Sequence, residues 1–198
     1  MRKITIGTNF GDALVGYTAS LMNFHNEKYG TSYVRDQIVS CDLGLLWNCT
    51  DQETLRRVYE FTHSEFHTAI APIGGAVEAV RSLSKQHTFV IVTARDKQLE
   101  IPTFELLKKH FEYNIKNVHF QYMQGINVLG TKGDVCIKVG VNVFIEDSLK
   151  NALNISRAGI PVLLLDAPWN QYDVLPKNIR RVFSWEQILR EIEGVDSF

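Results

Sequence analysis

The chain has 198 residues, 45% of them hydrophobic and 22% charged, and its formal net charge is −1. This composition suits a folded chain with a substantial core and excludes disorder as its main state. The near-neutral charge excludes bulk nucleic-acid binding through a broad basic field. No apolar stretch reaches the length of a membrane span or a secretory leader, and three cysteines without a CxxC pair favour a reducing, cytoplasmic setting.

The first third of the chain predicts one strand followed by helices. Residues 3–9 combine charged and β-branched side chains before a glycine-containing turn, as in a strand that enters a tight loop. Apolar residues at helical spacing predict a helix over residues 13–29, ended by Gly30. Residues 50–53 have the form of a capping box ahead of another helix. Because residues 31–71 hold no strong strand pattern, they indicate a helical insertion.

Helices and strands alternate in the rest of the chain. Further helices are predicted over residues 76–86, 102–110, 132–140 and 148–158, and strands over residues 88–93, 118–121, 141–145 and 162–165. Several of these strands are apolar, β-branched runs that suit burial on both faces. The alternation predicts an α/β fold with a central parallel sheet and a ligand site at the carboxyl ends of its strands.

Polar residues follow these strands and are expected to meet at one edge of the sheet. They lie at residues 9–12, 93–95 and 146–147, with Lys132 at the start of a helix. Phosphoryl chemistry uses a cation and hydroxyl groups for phosphate and carboxylates for a metal, and Lys132, Thr93 and Asp147 are matching residue types. Each of the three also has a structural reading, as a surface lysine, a strand-end threonine and a helix cap.

Four segments together resemble the haloacid dehalogenase (HAD) superfamily: residues 6–14 (IGTNFGDAL), 90–95 (VIVTAR), 132–136 (KGDVC) and 143–148 (VFIEDS). Within it, the chain is most similar to the 5′(3′)-deoxyribonucleotidase group over nearly its whole length. The resemblance implies a Rossmann-like, three-layer α/β/α core formed by residues 1–14 and 72–198. It also implies a small helical cap, residues 15–71, inserted after the first strand.

The resemblance fails at the family's first motif, Asp-x-Asp. In the family the first acid attacks phosphorus and the second acts as general acid and then general base. Asn9 and Gly11 hold these positions here, and Asp12 lies one place later. An amide is a far poorer nucleophile than a carboxylate, and glycine cannot supply the proton transfer that contributes roughly 10²–10⁴-fold. Aspartyl-phosphate turnover is therefore expected to be lost.

The family's other motifs carry over more closely. The resemblance implies that Thr93, Ala94 and Lys132 bind phosphate. It also implies that Asp147 binds Mg²⁺, with Glu146 beside it. The Asn9 amide oxygen and the Gly11 backbone carbonyl would complete a weakened Mg²⁺ site.

The preferred hypothesis is a HAD-fold protein that binds a phosphorylated small molecule, such as a nucleotide, and hydrolyses it poorly or not at all. Its role would be binding, sequestration or regulation, with room for a protein partner. Two alternatives stay open: an active Mg²⁺-dependent phosphohydrolase or repurposed enzyme that uses Asp12, and an interaction scaffold with a vestigial pocket. The plainer reading of Asp12 is an N-cap of the helix that follows it.

The insertion contributes further candidates. His63 and His67 are four residues apart and are interpreted as a helix surface feature, because a metal would need a third ligand. Most aromatic residues of the insertion are expected in its core, although any of them could stack on a nucleobase. These aromatic residues are Tyr17, Phe24, Tyr33, Trp47, Phe61 and Phe66.

Overall fold

The computed structural model describes residues 2–40, 42–95, 99–112, 114–115, 117–120, 130–172 and 174–194. Its strands are β1 (Thr5–Thr8), β2 (Thr88–Thr93), β3 (Asn117–Phe120), β4 (Val143–Glu146), β5 (Val162–Leu165) and β6 (Ile179–Val182). They form one parallel sheet in the order β3-β2-β1-β4-β5-β6. Since β1 lies between β2 and β4, the chain changes its direction of winding there, and ligands of such sheets bind beside this point.

The helices are α1 (Tyr17–Tyr29), α2 (Leu43–Trp47), α3 (Asp51–Thr62), α4 (Glu65–Thr68), α5 (Ala76–Leu83), α6 (Glu100–Phe111), α7 (Lys132–Lys138), α8 (Leu149–Arg157) and α9 (Trp185–Glu193). Each face of the sheet has its own apolar layer. Ile91 and Ile145 belong to a cluster with α5, α6 and α9, whereas Val92 and Phe144 belong to one with α7 and α8. The predicted three-layer α/β fold with a central parallel sheet is confirmed.

Strand β1 approaches its neighbour β4 closely. A Cβ atom at Gly7 would lie 2.4 Å from the ring of Phe144, so only glycine fits this position without displacing the ring. Phe144 is itself fully buried. This contact holds the end of β1, and the loop that follows it, against β4.

Helices α1 to α4 follow β1 and pack on one another before the chain returns to α5. The chain leaves and returns at adjacent points: Gly16 N–H donates to the Ala71 carbonyl at 3.0 Å, and Ile73 N–H donates to the Leu14 carbonyl at 2.8 Å. The division into a core (1–14 and 72–198) and a cap (15–71) stays a prediction. These two contacts lie beside its proposed boundaries.

Several details differ from the sequence-based expectations. Helix α1 begins at Tyr17 instead of residue 13, because residues 13–15 fold into a buried turn after Asp12, whose φ is +55°. The N-cap of α3 is confirmed, since Thr50 Oγ1 accepts the N–H of Glu53 at 3.3 Å. Cys41 and the predicted strand end at residue 121 lie outside the described residues. Within the described ranges, no helix is long and apolar enough to cross a membrane.

Candidate functional site

Asn9 lies at the centre of the site, directly after β1. Its backbone N–H donates to the Ile145 carbonyl of β4 at 2.9 Å, which extends the sheet pairing by one residue. Its side-chain amide is fully engaged: Nδ2 donates to the Gly11 carbonyl at 3.1 Å and to Asp147 Oδ1 at 2.8 Å. Oδ1 accepts from Lys132 Nζ at 3.2 Å. The structure thus brings four of the predicted site residues together.

Lys132 and Glu146 form a buried ion pair below this amide. Lys132 Nζ lies 2.6 Å from Glu146 Oε2, and the two residues are 3% and 0% exposed. The other carboxylate oxygen, Oε1, accepts the backbone N–H groups of Asp147 and Ser148 at 3.1 and 3.2 Å. The surface-lysine reading is therefore wrong. Both charges are compensated inside the protein, and Lys132 is absent from the described residues that line the cavity above.

Asp147 is held from three directions. Its Oδ1 accepts from Asn9, and its Oδ2 accepts from the indole N–H of Trp169 at 3.2 Å. Its backbone carbonyl accepts from Asn170 Nδ2 at 2.7 Å. Burial raises the pKa of Asp147 well above its usual value, and the nearby Glu146 and Asp12 carboxylates raise it further. The capping role belongs instead to Ser148, whose Oγ accepts from Asn151 N–H at the start of α8.

These residues only partly match the donor set of a Mg²⁺ site. Mg²⁺ takes oxygen ligands, and the Gly11 carbonyl and Asp147 Oδ1 do converge on one point. Asn9, however, directs its amide nitrogen toward that point, while its oxygen accepts from Lys132. The prediction of an Asn9 oxygen ligand therefore disagrees with this arrangement. As it stands, the donor set does not fit an all-oxygen metal site.

Asp12 lines the cavity and is hydrogen-bonded to the first turn of α1. Its Oδ2 accepts the Thr18 hydroxyl at 2.6 Å, and both carboxylate oxygens lie 3.1–3.2 Å from the Thr18 N–H. Asp12 therefore binds the first turn of α1 as a cap would, although Gly16 holds the N-cap position. Burial raises the pKa of Asp12 to about 6, against the opposing effects of Thr18 and Arg35.

A cavity of about 390 Å³ opens over these residues. Asn9, Gly11, Asp12, Thr93, Ala94 and Asp147 all line it. Residues between β1 and α5 also contribute, among them Tyr17 and Ile38. Of the predicted aromatic candidates, Tyr17 reaches this cavity, whereas Phe24, Trp47 and Phe61 are buried in the apolar core.

Arg95, to which the sequence analysis assigned no role, lies in the wall of the same cavity. Its guanidinium lies 4.7 Å from the ring centroid of Phe10 and 4.8 Å from that of Tyr17. Two of its nitrogens, Nε and Nη1, are shielded from solvent and lack a hydrogen-bond partner among the described residues. A buried charged donor without a partner is costly, so it is a place where an anion is expected to bind.

Among the described residues, His67 is the polar side chain that contacts the guanidinium of Arg95. Its Nε2 lies 3.3 Å from Arg95 Nη2. Burial, followed by the charge of Arg95, lowers the pKa of His67 to about 4, so at neutral pH it is an uncharged acceptor. The prediction of a surface histidine pair is wrong for His67, which is buried. Four-residue spacing alone could not reveal this, because α3 ends before His63 and His67 belongs to the separate helix α4, so the two do not share one helix face.

Trp169, which lines the cavity, contacts residues from two distant parts of the chain. The guanidinium of Arg35, from the insertion, lies 4.9 Å from the ring centroid of Trp169. The same indole donates to Asp147, as described above. Arg35 and Asp147 therefore contact the same side chain.

The fold and the grouping of these residues define a HAD-type α/β protein. Two solved structures share the fold: the haloacid dehalogenase-like protein SP0104 from Streptococcus pneumoniae (TM-score 0.72, 12% identity) and the HAD-superfamily protein YfnB from Bacillus subtilis (TM-score 0.65, 14% identity), the latter bound to magnesium. The first alignment covers 96% of this chain and 98% of the other, and the second covers 98% and 100%.

A family model assigns the chain more narrowly than its fold does. Residues 2–194 match the model of the 5′ nucleotidase, deoxy (pyrimidine), cytosolic type C protein family (NT5C), and the chain belongs to this family. The chain is also similar to nucleotidase CA_C3379 from Clostridium acetobutylicum, with 28% identity over 164 residues. That alignment covers 82% of this chain and 76% of the relative. The predicted resemblance to HAD nucleotidases is confirmed.

Proposed function

We propose that this protein binds the phosphate group of a small molecule in the cavity over Asn9 and hydrolyses it poorly or not at all. The observation that supports the proposal most directly is the hydrogen bonding of the Asn9 side-chain amide. Its amide stands where the family has a nucleophilic carboxylate, and both its nitrogen and its oxygen are already hydrogen-bonded inside the site. Such an amide offers no nucleophile to phosphorus.

The proton donor is missing separately. Gly11 has no side chain, and the position is crowded, because a Cβ atom there would lie 3.2 Å from Cβ of Tyr17. General acid catalysis at this point would normally contribute roughly 10²–10⁴-fold. Loss of the nucleophile at position 9 and of the acid at position 11 supports a role in binding, sequestration or regulation.

Anion recognition is supported by what the cavity retains. Thr93 and Ala94 both line it. The charge of Lys132 is compensated by its ion pair with Glu146. In this proposal Arg95 therefore supplies the positive charge that binds the phosphate. Membership of a deoxynucleotidase family makes nucleoside monophosphates, with deoxypyrimidine nucleotides first, the ligands to try.

The proposal is tested by restoring both acids. We expect the Asn9→Asp/Gly11→Asp variant to release phosphate from nucleoside monophosphates in the presence of Mg²⁺, while the natural protein binds the same compounds without releasing it. The matched control is Asn9→Asp/Gly11→Asn, which places similar bulk against Tyr17 without an acid. Equal phosphate release by the natural protein and the restored variant would contradict the proposal.

A second candidate function rests on Asp12. A cavity carboxyl with a pKa of about 6 has the properties of a general acid or base near neutral pH. Its two oxygens are, however, bound to Thr18. If the protein is an active phosphohydrolase through Asp12, turnover must disappear in Asp12→Asn while Thr18→Val, which removes the competing hydroxyl, retains or increases it.

A further inference from the structure

The Asn9 amide lies between two oxygens that converge on one point. Nδ2 is 3.1 Å from the Gly11 carbonyl oxygen and 2.8 Å from Asp147 Oδ1. A backbone carbonyl and a carboxylate are the ligand types that a hard divalent cation takes in proteins. Here an –NH₂ group bridges them by donating one N–H to each.

The orientation of this amide is fixed from its other end. Lys132 has three N–H donors and no acceptor, so only the oxygen of Asn9 can face it. Turning the amide over would place –NH₂ against the ammonium group and lose the hydrogen bonds to Gly11 and Asp147. Lys132 cannot easily move aside, because it is buried and paired with Glu146 at 2.6 Å.

The remaining oxygen of Asp147 is also engaged. Oδ2 accepts the Trp169 indole N–H at 3.2 Å, and the backbone of Asp147 is bound to Asn170. Asp147 therefore has its side-chain oxygens hydrogen-bonded to neutral donors of the protein itself. The polar groups of the site satisfy one another as they stand.

We propose that the Asn9 amide replaces a divalent cation in this site, so that the folded site is complete without metal. The bridge between Gly11 and Asp147, which a cation would otherwise make, is built into the chain by one side chain. This inference extends the function proposed above, because the phosphate would then be bound by protein donors alone. It can be tested without any phosphate compound, so the two proposals can fail separately.

The direct test is Mn²⁺ binding to the natural protein, measured by electron paramagnetic resonance in the absence of phosphate compounds. The proposal predicts no specific site at millimolar Mn²⁺ and a melting temperature that Mg²⁺ does not change. One equivalent of Mn²⁺ held by the natural protein and lost in Asp147→Asn would overturn it.

The second arm uses Asn9→Asp. The new carboxylate would face Asp147 Oδ1 across the former hydrogen bond, so this variant is expected to melt lower without metal. Mg²⁺ should restore its melting temperature and bind at least roughly tenfold tighter than to the natural protein. Asn151→Asp, which adds the same charge to the wall of the same cavity, is the matched control and should show neither effect. Equal Mg²⁺ responses in both variants would mean that added charge alone is responsible, which would also overturn the proposal.

Discussion

Two cationic side chains, the buried Lys132 and the half-buried Arg95, lie close to the same cavity and have opposite surroundings. Lys132 contacts the fully buried carboxylate of Glu146 at 2.6 Å. Arg95 is packed between two aromatic rings, and no described carboxylate lies within ion-pair distance of it. The difference suggests two separate roles. Lys132 stabilises the structure of the site, whereas Arg95 keeps hydrogen-bond donors available for a ligand.

The largest effect is expected from breaking the compensated pair. Lys132→Met would leave Glu146 buried without a counter-charge, and we expect it to lower the free energy of unfolding by roughly 3–5 kcal/mol. Urea denaturation measures this loss. The double variant Lys132→Met/Glu146→Gln removes both charges and should recover part of it. Additive losses in the double variant would show that the two side chains do not act as a pair.

At Arg95 we expect a small change in the free energy of unfolding and a large change in ligand affinity. Arg95→Met retains the apolar stem against Phe10 and Tyr17 but removes donors that lack partners, so the free energy of unfolding should change by no more than about 1 kcal/mol. Affinity for the phosphorylated ligand should fall by roughly 10–100-fold, since a charge-assisted contact is lost. Calorimetric titration measures this change. Arg95→Lys, which keeps the charge, should lose less affinity. Equal affinities of the natural protein and Arg95→Met would show that Arg95 does not bind the ligand.

A pH-dependent effect is expected at His67, the neighbour of Arg95. The folded-state pKa of His67 is about 4, below its ordinary value of 6.5. As the pH falls from 7 to 5, the unfolded chain gains a proton that the folded protein does not, so His67 should cost roughly 2 kcal/mol of stability over this range.

His67→Gln keeps a neutral acceptor for Arg95 and removes this titration. The difference in unfolding free energy between the natural protein and His67→Gln should therefore shift in favour of the variant as the pH falls. Urea denaturation at several pH values between 5 and 7 measures it. A difference that is constant with pH would mean that the pKa of His67 is the same in the folded and the unfolded protein, which would contradict its description as an uncharged acceptor beside Arg95.

The sheet was largely predictable from local patterns, and the exceptions have physical causes. Strands β2 and β5 have the predicted bounds because their apolar, β-branched runs are buried on both faces. Strand β6 was not predicted as an element, since its sequence IRRV places two arginines in the middle of an edge strand. The start of α1 was placed too early because Ala13 and Leu14 are buried in a turn, and burial there looks like a helical stripe.

The grouping of the site residues followed from the strand ends, whereas their contacts did not. Parallel strands bring Asn9 and Asp147 to one edge whatever their side chains do. The orientation of the Asn9 amide depends on Lys132, which is 123 residues away along the chain, and the Lys132 pairing depends on the depth at which α7 packs. Spacing carries no information about either, so the sequence predicted a metal ligand where the structure has a hydrogen-bond donor.

The proposed function is that this protein binds a phosphorylated small molecule and does not cleave it efficiently. Phosphorus NMR of deoxypyrimidine monophosphates, incubated with stoichiometric natural protein and Mg²⁺, reports both events in one sample. We expect the monophosphate resonance to broaden or shift, and we expect no inorganic phosphate signal beyond that of a protein-free sample. A growing inorganic phosphate signal, or a monophosphate resonance unchanged throughout a wider panel of phosphomonoesters, would contradict it.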